Sequence, residues 1–260
     1  MSHRIERIGD CELHLADCRE VLPTLNARGH IISDPPYEAS LHASKNSLRG
    51  PVRVDCGPSL KGLDFAPIDE IRGDVVRMAE DVCNGWFIAF CTVEGVSKWA
   101  DEINASRIKY KRACIWVKPD STPQLNGQGP AQGAECFVTA WNGVGHAKWN
   151  SGGKRGVYTH CVNGPHRHGG HPTEKPASLM RELLLDFTAH GDVVIDPFMG
   201  SGTTGVACTR LGRRFIGCEI DPTYFDIACE RIEAASRQPD MFVSSPQPKA
   251  EQLDLLGVKQ

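Results

Sequence analysis

The sequence lacks long hydrophobic runs and closely spaced cysteine pairs. No apolar stretch approaches the ~20 residues that a membrane-spanning helix needs, and the N-terminal segment "MSHRIERIGDCELHL" has no signal-peptide core. We therefore expect a cytoplasmic protein without a membrane contact. The 11 cysteines form no C-x-x-C pair, which argues against a zinc ribbon or a disulfide framework and for reduced thiols in the core.

Negative charge is missing from three stretches of the chain. The net charge is −3, from 29 Lys and Arg against 32 Asp and Glu, and by itself speaks against a polyanionic partner. Asp and Glu are nevertheless absent from Ala39 to Val54, from Ile103 to Pro119 and from Cys136 to Thr173, while Lys and Arg occur in all three. Such segregation is either solvated loop surface or an electrostatic footprint for a polyanion.

Short apolar runs alternate with helical patterns along the chain. This alternation predicts an α/β domain with a mostly parallel, seven-stranded sheet and helices on both faces. The predicted strands are Glu12–Ala16, His30–Ser33, Trp86–Phe90, Ala113–Val117, Glu135–Ala140, Val193–Asp196 and Arg214–Cys218. The predicted helices are Ile68–Val82, Gly95–Asn104, Pro176–Ala189, Thr203–Leu211 and Thr223–Ala235. We expect one domain over residues 1–236 and a polar tail over 237–260, with long loops at 38–67 and 143–171.

A glycine-rich turn follows one of the late strands. The segment "DPFMGSGTTG", from Asp196 to Gly205, lies between the apolar run "DVVI" and a helical pattern, and its glycines spell G-x-G-x-x-G. With Glu219 closing the next strand, this pattern is typical of a dinucleotide site. It begins at residue 196 of 260, however, so the rest of the sheet must come from the N-terminal part of the chain. That permuted order disfavours an NAD enzyme.

A second motif, "DPPY", ends the strand "GHIIS". Two prolines fix their own φ angles and restrict the residues before them, so the Asp34 carboxylate and the Pro35 carbonyl point in defined directions. Two acceptors beside the ring of Tyr37 suit the exocyclic amino group of a flipped, stacked base, whose nitrogen lone pair they would free for attack on an electrophilic methyl group. The simpler interpretation is a strand-ending turn.

The two motifs together resemble the β class of amino-group DNA methyltransferases, which modify adenine N6 or cytosine N4. In that family the catalytic motif comes first, then a recognition region, then the S-adenosylmethionine motif. The resemblance spans roughly Cys11 to Arg237. It implies a Rossmann-like methyltransferase fold with circularly permuted motif order, S-adenosylmethionine as cofactor and double-stranded DNA as substrate.

The resemblance also implies roles for individual residues. The catalytic motif comprises Asp34, Pro35, Pro36 and Tyr37. "LADCREVLPTL" and "HPTEKP" resemble further cofactor segments, so that the implied cofactor contacts are Asp17, Asp34, Thr173, Lys175, Asp196, Pro197, Phe198, Gly200, Ser201, Gly202, Thr203 and Glu219.

The two long loops, 38–67 and 143–171, are the candidate DNA-recognition regions. In the second, basic and aromatic side chains interleave, which is typical of a groove-contacting segment; they are Lys148, Trp149, Lys154, Arg155, Tyr158 and Arg167. The region between the catalytic motif and the cofactor motif leaves little room for a large separate recognition domain, so we expect a short target or recognition shared across a homodimer. The histidines of this loop match no metal-ligand spacing, and we predict no metal site.

Several interpretations stay open. Methylation of adenine N6 is the first; cytosine N4 is the alternative, since the family's cytosine members more often carry Ser where Asp34 stands. A non-catalytic nucleic-acid-binding subunit and an NAD-binding oxidoreductase are further alternatives. Methylation of cytosine C5 is disfavoured because no Pro-Cys dipeptide occurs. The tail segment Gln252–Leu256, "QLDLL", resembles the peptide by which bacterial proteins bind the sliding clamp, although its last aromatic is missing, and simple packing on the domain is the alternative.

Overall fold

The computed structural model describes residues 3–36, 68–121, 129–162 and 174–237. Within them lies one mixed sheet of nine strands in the order β1-β2-β9-β8-β3-β4-β6-β5-β7. The strands are β1 Arg4–Ile8, β2 Cys11–Leu15, β3 Gly29–Ser33, β4 Cys83–Cys91, β5 Lys109–Val117, β6 Ala134–Trp141, β7 Val157–Thr159, β8 Val193–Asp196 and β9 Arg214–Glu219. The helices are α1 Cys18–Val21, α2 Ile68–Val82, α3 Val96–Asn104, α4 Ala177–Phe187, α5 Thr203–Arg210 and α6 Pro222–Arg237.

The expected number of strands was wrong: the described residues form nine strands, where the pattern indicated seven. The two additional strands are the short, largely exposed β1 and β7 at the two edges of the sheet. An edge strand buries little surface, so its sequence carries no continuous apolar run. The centre, β2-β9-β8-β3-β4, is parallel throughout, which agrees with the expected mostly parallel sheet.

The helices cover both faces of the sheet. Helices α4, α5 and α6 pack on one face, and α1, α2 and α3 pack on the other. Helix α4 shows why: its apolar side chains recur every three or four residues, and this stripe is fully buried, namely Leu179, Met180, Leu183, Leu184 and Phe187. No helix in the described part of the chain is long and apolar enough to cross a membrane.

The sheet is completed from both ends of the chain. Strand β3 pairs in parallel with β8, with His30 opposite Val194, although the two strands are far apart in sequence. From this pair the chain continues outward in opposite directions, through β4 on one side and through β9 on the other. A reversal of this kind opens a crevice at the carboxyl ends of the strands, which is where open α/β sheets bind their ligands. The permuted order predicted from the glycine-rich turn is thereby confirmed.

Candidate active site

Four acidic residues line the crevice at the carboxyl ends of adjacent parallel strands. Asp17 follows β2, Glu219 ends β9, Asp196 ends β8 and Asp34 follows β3. Their strands are neighbours in the order β2-β9-β8-β3, so the four carboxylates form one row. Such a row favours a ligand that carries positive charge and hydroxyl donors.

Asp34 has one carboxylate oxygen engaged and one available. Its Oδ2 lies 2.7 Å from the ammonium of Lys175, which itself is only 6% exposed. Its Oδ1 is buried and has no hydrogen-bond partner within the described part of the chain. Burial raises the pKa of Asp34, while the neighbouring Lys175 opposes that shift. A buried acceptor without a donor is costly, so this oxygen marks a position where a ligand N–H or O–H would bind.

Asp196 joins the two strands at the reversal. Its Oδ1 accepts hydrogen bonds from the Ser33 hydroxyl at 2.6 Å and from the Phe198 amide at 3.1 Å. Burial raises the pKa of Asp196 to about 6, and nearby Asp34 adds to this effect. Ser33 directly precedes Asp34 in the chain, so this hydrogen bond links the two motifs, which lie far apart in the sequence.

Glu219 is held by backbone amides. Its carboxylate accepts from the N–H groups of Gly200 at 2.9 Å, Ile220 at 2.9 Å and Asp221 at 2.8 Å. Burial raises the pKa of this 9% exposed side chain to about 7 against these three hydrogen bonds. The carboxylate is therefore fixed in direction at the end of β9, beside the glycine-rich turn.

The glycine-rich turn needs glycine for its backbone. Gly200 and Gly202 have φ angles of 52° and 81°, in the left-handed region, and Gly202 is the N-cap of α5. The turn is also tied to its surroundings by Arg231 of α6, whose guanidinium donates to the Ser201 carbonyl at 2.6 Å and to its hydroxyl at 2.7 Å. The same guanidinium pairs with the buried carboxylate of Glu174.

A family model described as DNA methylase matches residues 29–230. The chain belongs to this family of N6 and N4 DNA methylases. M2.DpnII, a type II methyltransferase of Streptococcus pneumoniae, is 31% identical over 219 residues, which are 78% of this chain and 82% of that protein. M2.LlaDCHI, a type II methyltransferase of Lactococcus lactis subsp. cremoris, is 28% identical over 217 residues, 78% of this chain and 81% of that protein. The crystal structure of an M1.HpyAVI–SAM complex has a TM-score of 0.66 and 27% identity, covering 85% of this chain and 98% of that one.

The methylase brings most of the predicted site residues together. Pro197, Phe198 and Ser201 belong to the turn that joins β8 to α5, and Thr203 is the first residue of that helix. Asp17 caps α1 by accepting from the Arg19 amide at 2.8 Å, and the Arg19 side chain lowers its pKa. Tyr37, Thr173 and Arg167 lie outside the described residues, as do all of loop 38–67, the end of loop 143–171 and the segment Gln252–Leu256.

Two of the residues predicted to contact DNA make contacts within the protein instead. Tyr158 is 1% exposed and its hydroxyl donates to Asp186 at 2.8 Å. The prediction that Tyr158 contacts DNA is therefore wrong, because its ring belongs to the core. The Lys154 ammonium lies 2.6 Å from Glu182 and also contacts Asp186, so two carboxylates offset its charge.

The other predicted DNA contacts lie at different ends of the sheet. The Lys148 carbonyl accepts from the Trp86 indole near the start of β4, and the Trp149 ring packs edge-on against Phe187 at the end of α4. These two residues therefore lie at the amino edge, opposite the end of β3 that carries Asp34. Arg155 is exposed and lies two residues before β7, which pairs with the last residues of β5. It therefore lies nearer to the carboxyl edge than Lys148 does.

Four residues of the methylase site were not found from the sequence: Ser33, Lys118, Glu135 and Arg231. Ser33 directly precedes the "DPPY" motif, and it lies next to Asp196 only because β3 and β8 are neighbouring strands. The sequence could have indicated Arg231, because it lies three positions after the buried Ala228 on the same helix face, where an arginine needs partners for its charge. Glu135 is an acid near the start of a strand that is otherwise mostly apolar, and it too needs partners for its charge.

Proposed function

We propose that this DNA methylase methylates the N6 amino group of adenine in DNA. The observation that carries the proposal is the buried Asp34 Oδ1 at the carboxyl end of β3, which has no hydrogen-bond partner among the residues that the structure describes. With the Pro35 carbonyl next to it in the chain, it offers two acceptors for the two N–H groups of an exocyclic amine. An amine is the group that the family modifies.

The residues present fit the methyl donor S-adenosylmethionine. Its positively charged sulfonium suits the row of carboxylates, and its ribose hydroxyls suit Glu219, which the backbone amides already hold in direction. Gly200 would tolerate close approach, since no atom lies within 4 Å of the position that its Cβ would occupy. Asp17, Asp196, Phe198 and Gly200 are the described residues that we assign to the cofactor, together with Glu219. When bound, S-adenosylmethionine supplies an electrophilic methyl group.

The protein contributes orientation and acceptance of hydrogen bonds. An aromatic amine is a poor nucleophile because its lone pair is conjugated with the ring. Acceptors at Asp34 and Pro35 that hold both N–H groups favour a pyramidal nitrogen, whose lone pair would form the new N–C bond as the bond between the methyl group and the donor sulfur breaks. The nitrogen must lose one proton on methylation, and the Asp34 carboxylate is positioned to stabilise the positive charge that develops there before the proton leaves.

Adenine is preferred over cytosine because of the residue at the start of the motif. Asp34 occupies the position where the cytosine members of the family more often carry Ser. The geometry of two acceptors serves either amine, so the target base is decided by experiment.

The first experiment measures transfer of a labelled methyl group from S-adenosylmethionine to DNA, followed by single-molecule sequencing of the product. We expect modified adenine within one short sequence. We expect Asp34→Ala to lower the rate by a factor of at least about 1,000, because it removes an acceptor for the reacting group and takes one carboxylate partner from the buried Lys175. Asp101→Asn, on the exposed surface of α3, is the control and should leave the rate unchanged.

Other outcomes separate the alternatives. Modified cytosine at N4 would select the second member of the family, and a protein that binds DNA without methyl transfer would indicate a non-catalytic subunit. Full activity of Asp34→Ala would contradict the assignment of the reaction to this crevice.

A further inference from the structure

A chain of alternating charges extends from Asp34 into the protein. The Lys175 ammonium lies 2.7 Å from Asp34 Oδ2 and 3.2 Å from Glu135 Oε2. The other oxygen of Glu135 contacts the Lys118 ammonium. The four residues come from the end of β3, the segment before α4, strand β6 and the end of β5.

The inner members of this chain are buried. The side chains of Lys175, Glu135 and Lys118 are 6%, 12% and 13% exposed. Buried charges are costly unless each is paired with good geometry, and here two ammonium groups alternate with two carboxylates. Removal of one member therefore leaves its neighbours with an unbalanced charge, and the effect reaches Asp34.

Lys175 determines how Asp34 faces the crevice. It occupies Oδ2 and leaves Oδ1 as the oxygen without a partner among the described residues. Its ammonium also lies 5.0 Å from the centre of the Phe90 ring and 5.8 Å from that of Trp116, which restrict it laterally. Asp34 is thus held in one orientation with a single oxygen available to a substrate amine.

Glu135 determines where Lys175 lies. The Lys118 ammonium is 4.7 Å from the same Trp116 ring, so two positive charges share one indole. Glu135 lies between them and binds both. Without its charge the two ammonium groups would repel each other, and Lys175 would shift relative to Asp34.

We propose that Glu135 is a positioning residue for methyl transfer, which acts through Lys175 to orient the available oxygen of Asp34. This inference rests on the proposed function, because Asp34 is its reacting-site partner. It gives Lys175 a task at the catalytic motif, in addition to the cofactor contact that the family resemblance implies.

The test is Glu135→Gln, which keeps the shape of the side chain and removes its charge. We expect kcat for methyl transfer to fall about 100-fold, as for a misplacement of order 1 Å at a reacting group. The Kd for S-adenosylmethionine, measured by calorimetry, should stay within about threefold, since the affected group acts on the substrate amine. Glu135→Asp, which keeps the charge, should recover part of kcat. Asp192→Asn, which breaks a carboxylate–histidine contact at the amino edge, is the matched control and should keep kcat.

A second variant keeps the test decisive if Glu135→Gln unfolds. Glu135→Gln combined with Lys118→Met removes one charge of each sign, so it should fold. It still removes the second carboxylate that holds Lys175 in place beside Asp34, so its kcat should still be low. Wild-type kcat in the folded variant, or a loss confined to the affinity for S-adenosylmethionine, would overturn the positioning role.

A ligand-free measurement separates this proposal from the proposed function. A crystal structure of the folded variant without cofactor should show Lys175 displaced from Asp34 Oδ2. A retained contact would refute the positioning role whatever the activity. Wild-type protein that transfers no methyl group to DNA would contradict the proposed function instead, and with it the catalytic consequence of the displacement.

Discussion

Individual carboxyl groups at the candidate active site are buried in a way that favours a bound ligand and destabilises the ligand-free fold. Burial raises the pKa of Asp196 to about 6 and that of Glu219 to about 7, each against several hydrogen bonds. Desolvation of a carboxylate is offset only in part by backbone amides. A bound ligand that donates hydrogen bonds to these oxygens would favour their ionised form.

Glu219 should make the stability of the ligand-free methylase depend on pH. Its folded-state pKa of about 7 exceeds the ordinary 4.5, so its contribution to stability is full below pH 4.5 and is lost as the pH rises through 7. The free energy of unfolding of wild type relative to Glu219→Gln should therefore fall with rising pH, by up to about 3 kcal/mol. Urea denaturation of both proteins between pH 4.5 and pH 8 measures this difference. Parallel pH curves would contradict the raised pKa.

At the scale of elements, the turn between β8 and α5 depends on glycine for two separate reasons. Gly202 has a φ of 81°, and a Cβ built on it would lie 2.9 Å from the Cβ of Ala228 in α6. The first feature is a matter of backbone conformation and the second is a matter of helix packing. Gly191 has a similar φ of 82°, but no atom lies within 4 Å of its Cβ position.

Gly202→Ala should destabilise the methylase more than Gly191→Ala. Both variants carry the left-handed backbone cost of about 1–2 kcal/mol. Gly202→Ala adds the conflict with Ala228, roughly 1–3 kcal/mol for overpacking. Chemical denaturation measures both variants. Combining Gly202→Ala with Ala228→Gly should relieve only part of the packing conflict, because the Ala228 Cα also lies 3.0 Å from that Cβ position. Equal losses for the two single variants would show that α6 adapts without cost.

Most helices and strands were predictable, because a buried face makes apolar residues recur at a regular spacing in the sequence. Helix α2, Ile68–Val82, has the bounds that its apolar spacing predicts, and the stripe of α4 predicted its buried face. Strand β7 was not predictable, because Val157 and Thr159 are exposed and only Tyr158 is buried. For the same reason Tyr158 looked like a surface aromatic in a basic loop, although it is a core residue.

At the scale of the whole molecule, the sheet separates two cations that the sequence places in one segment. Lys148 lies at the amino edge, and Arg155 lies nearer than Lys148 to the carboxyl edge, where the acidic crevice and Asp34 are. Both side chains are exposed. A base that reaches Asp34 must come from DNA bound on the carboxyl side, so of these two cations Arg155 is the better placed to meet it.

Arg155→Ala should weaken DNA binding several-fold and lower the salt dependence of log Kd by about one charge. Lys148→Ala is the matched variant and should change Kd less than twofold, because its side chain lies at the other edge. Fluorescence anisotropy with a labelled duplex at several salt concentrations measures both. Equal effects of the two variants would show that the DNA footprint extends to the amino edge.

The chemistry and its arrangement along the chain were predictable from the amino-acid sequence. "DPPY" implies two acceptors on a stiff turn, "DPFMGSGTTG" implies a cofactor turn, and their order implies a sheet built from both ends, since these follow from local backbone constraints and from counting the remaining chain. Which distant charges meet depends on the tertiary structure. Lys175, Glu135 and Lys118 join Asp34 because the strand order β3-β4-β6-β5, with the segment before α4, brings separate elements to one edge, and no local pattern encodes that contact.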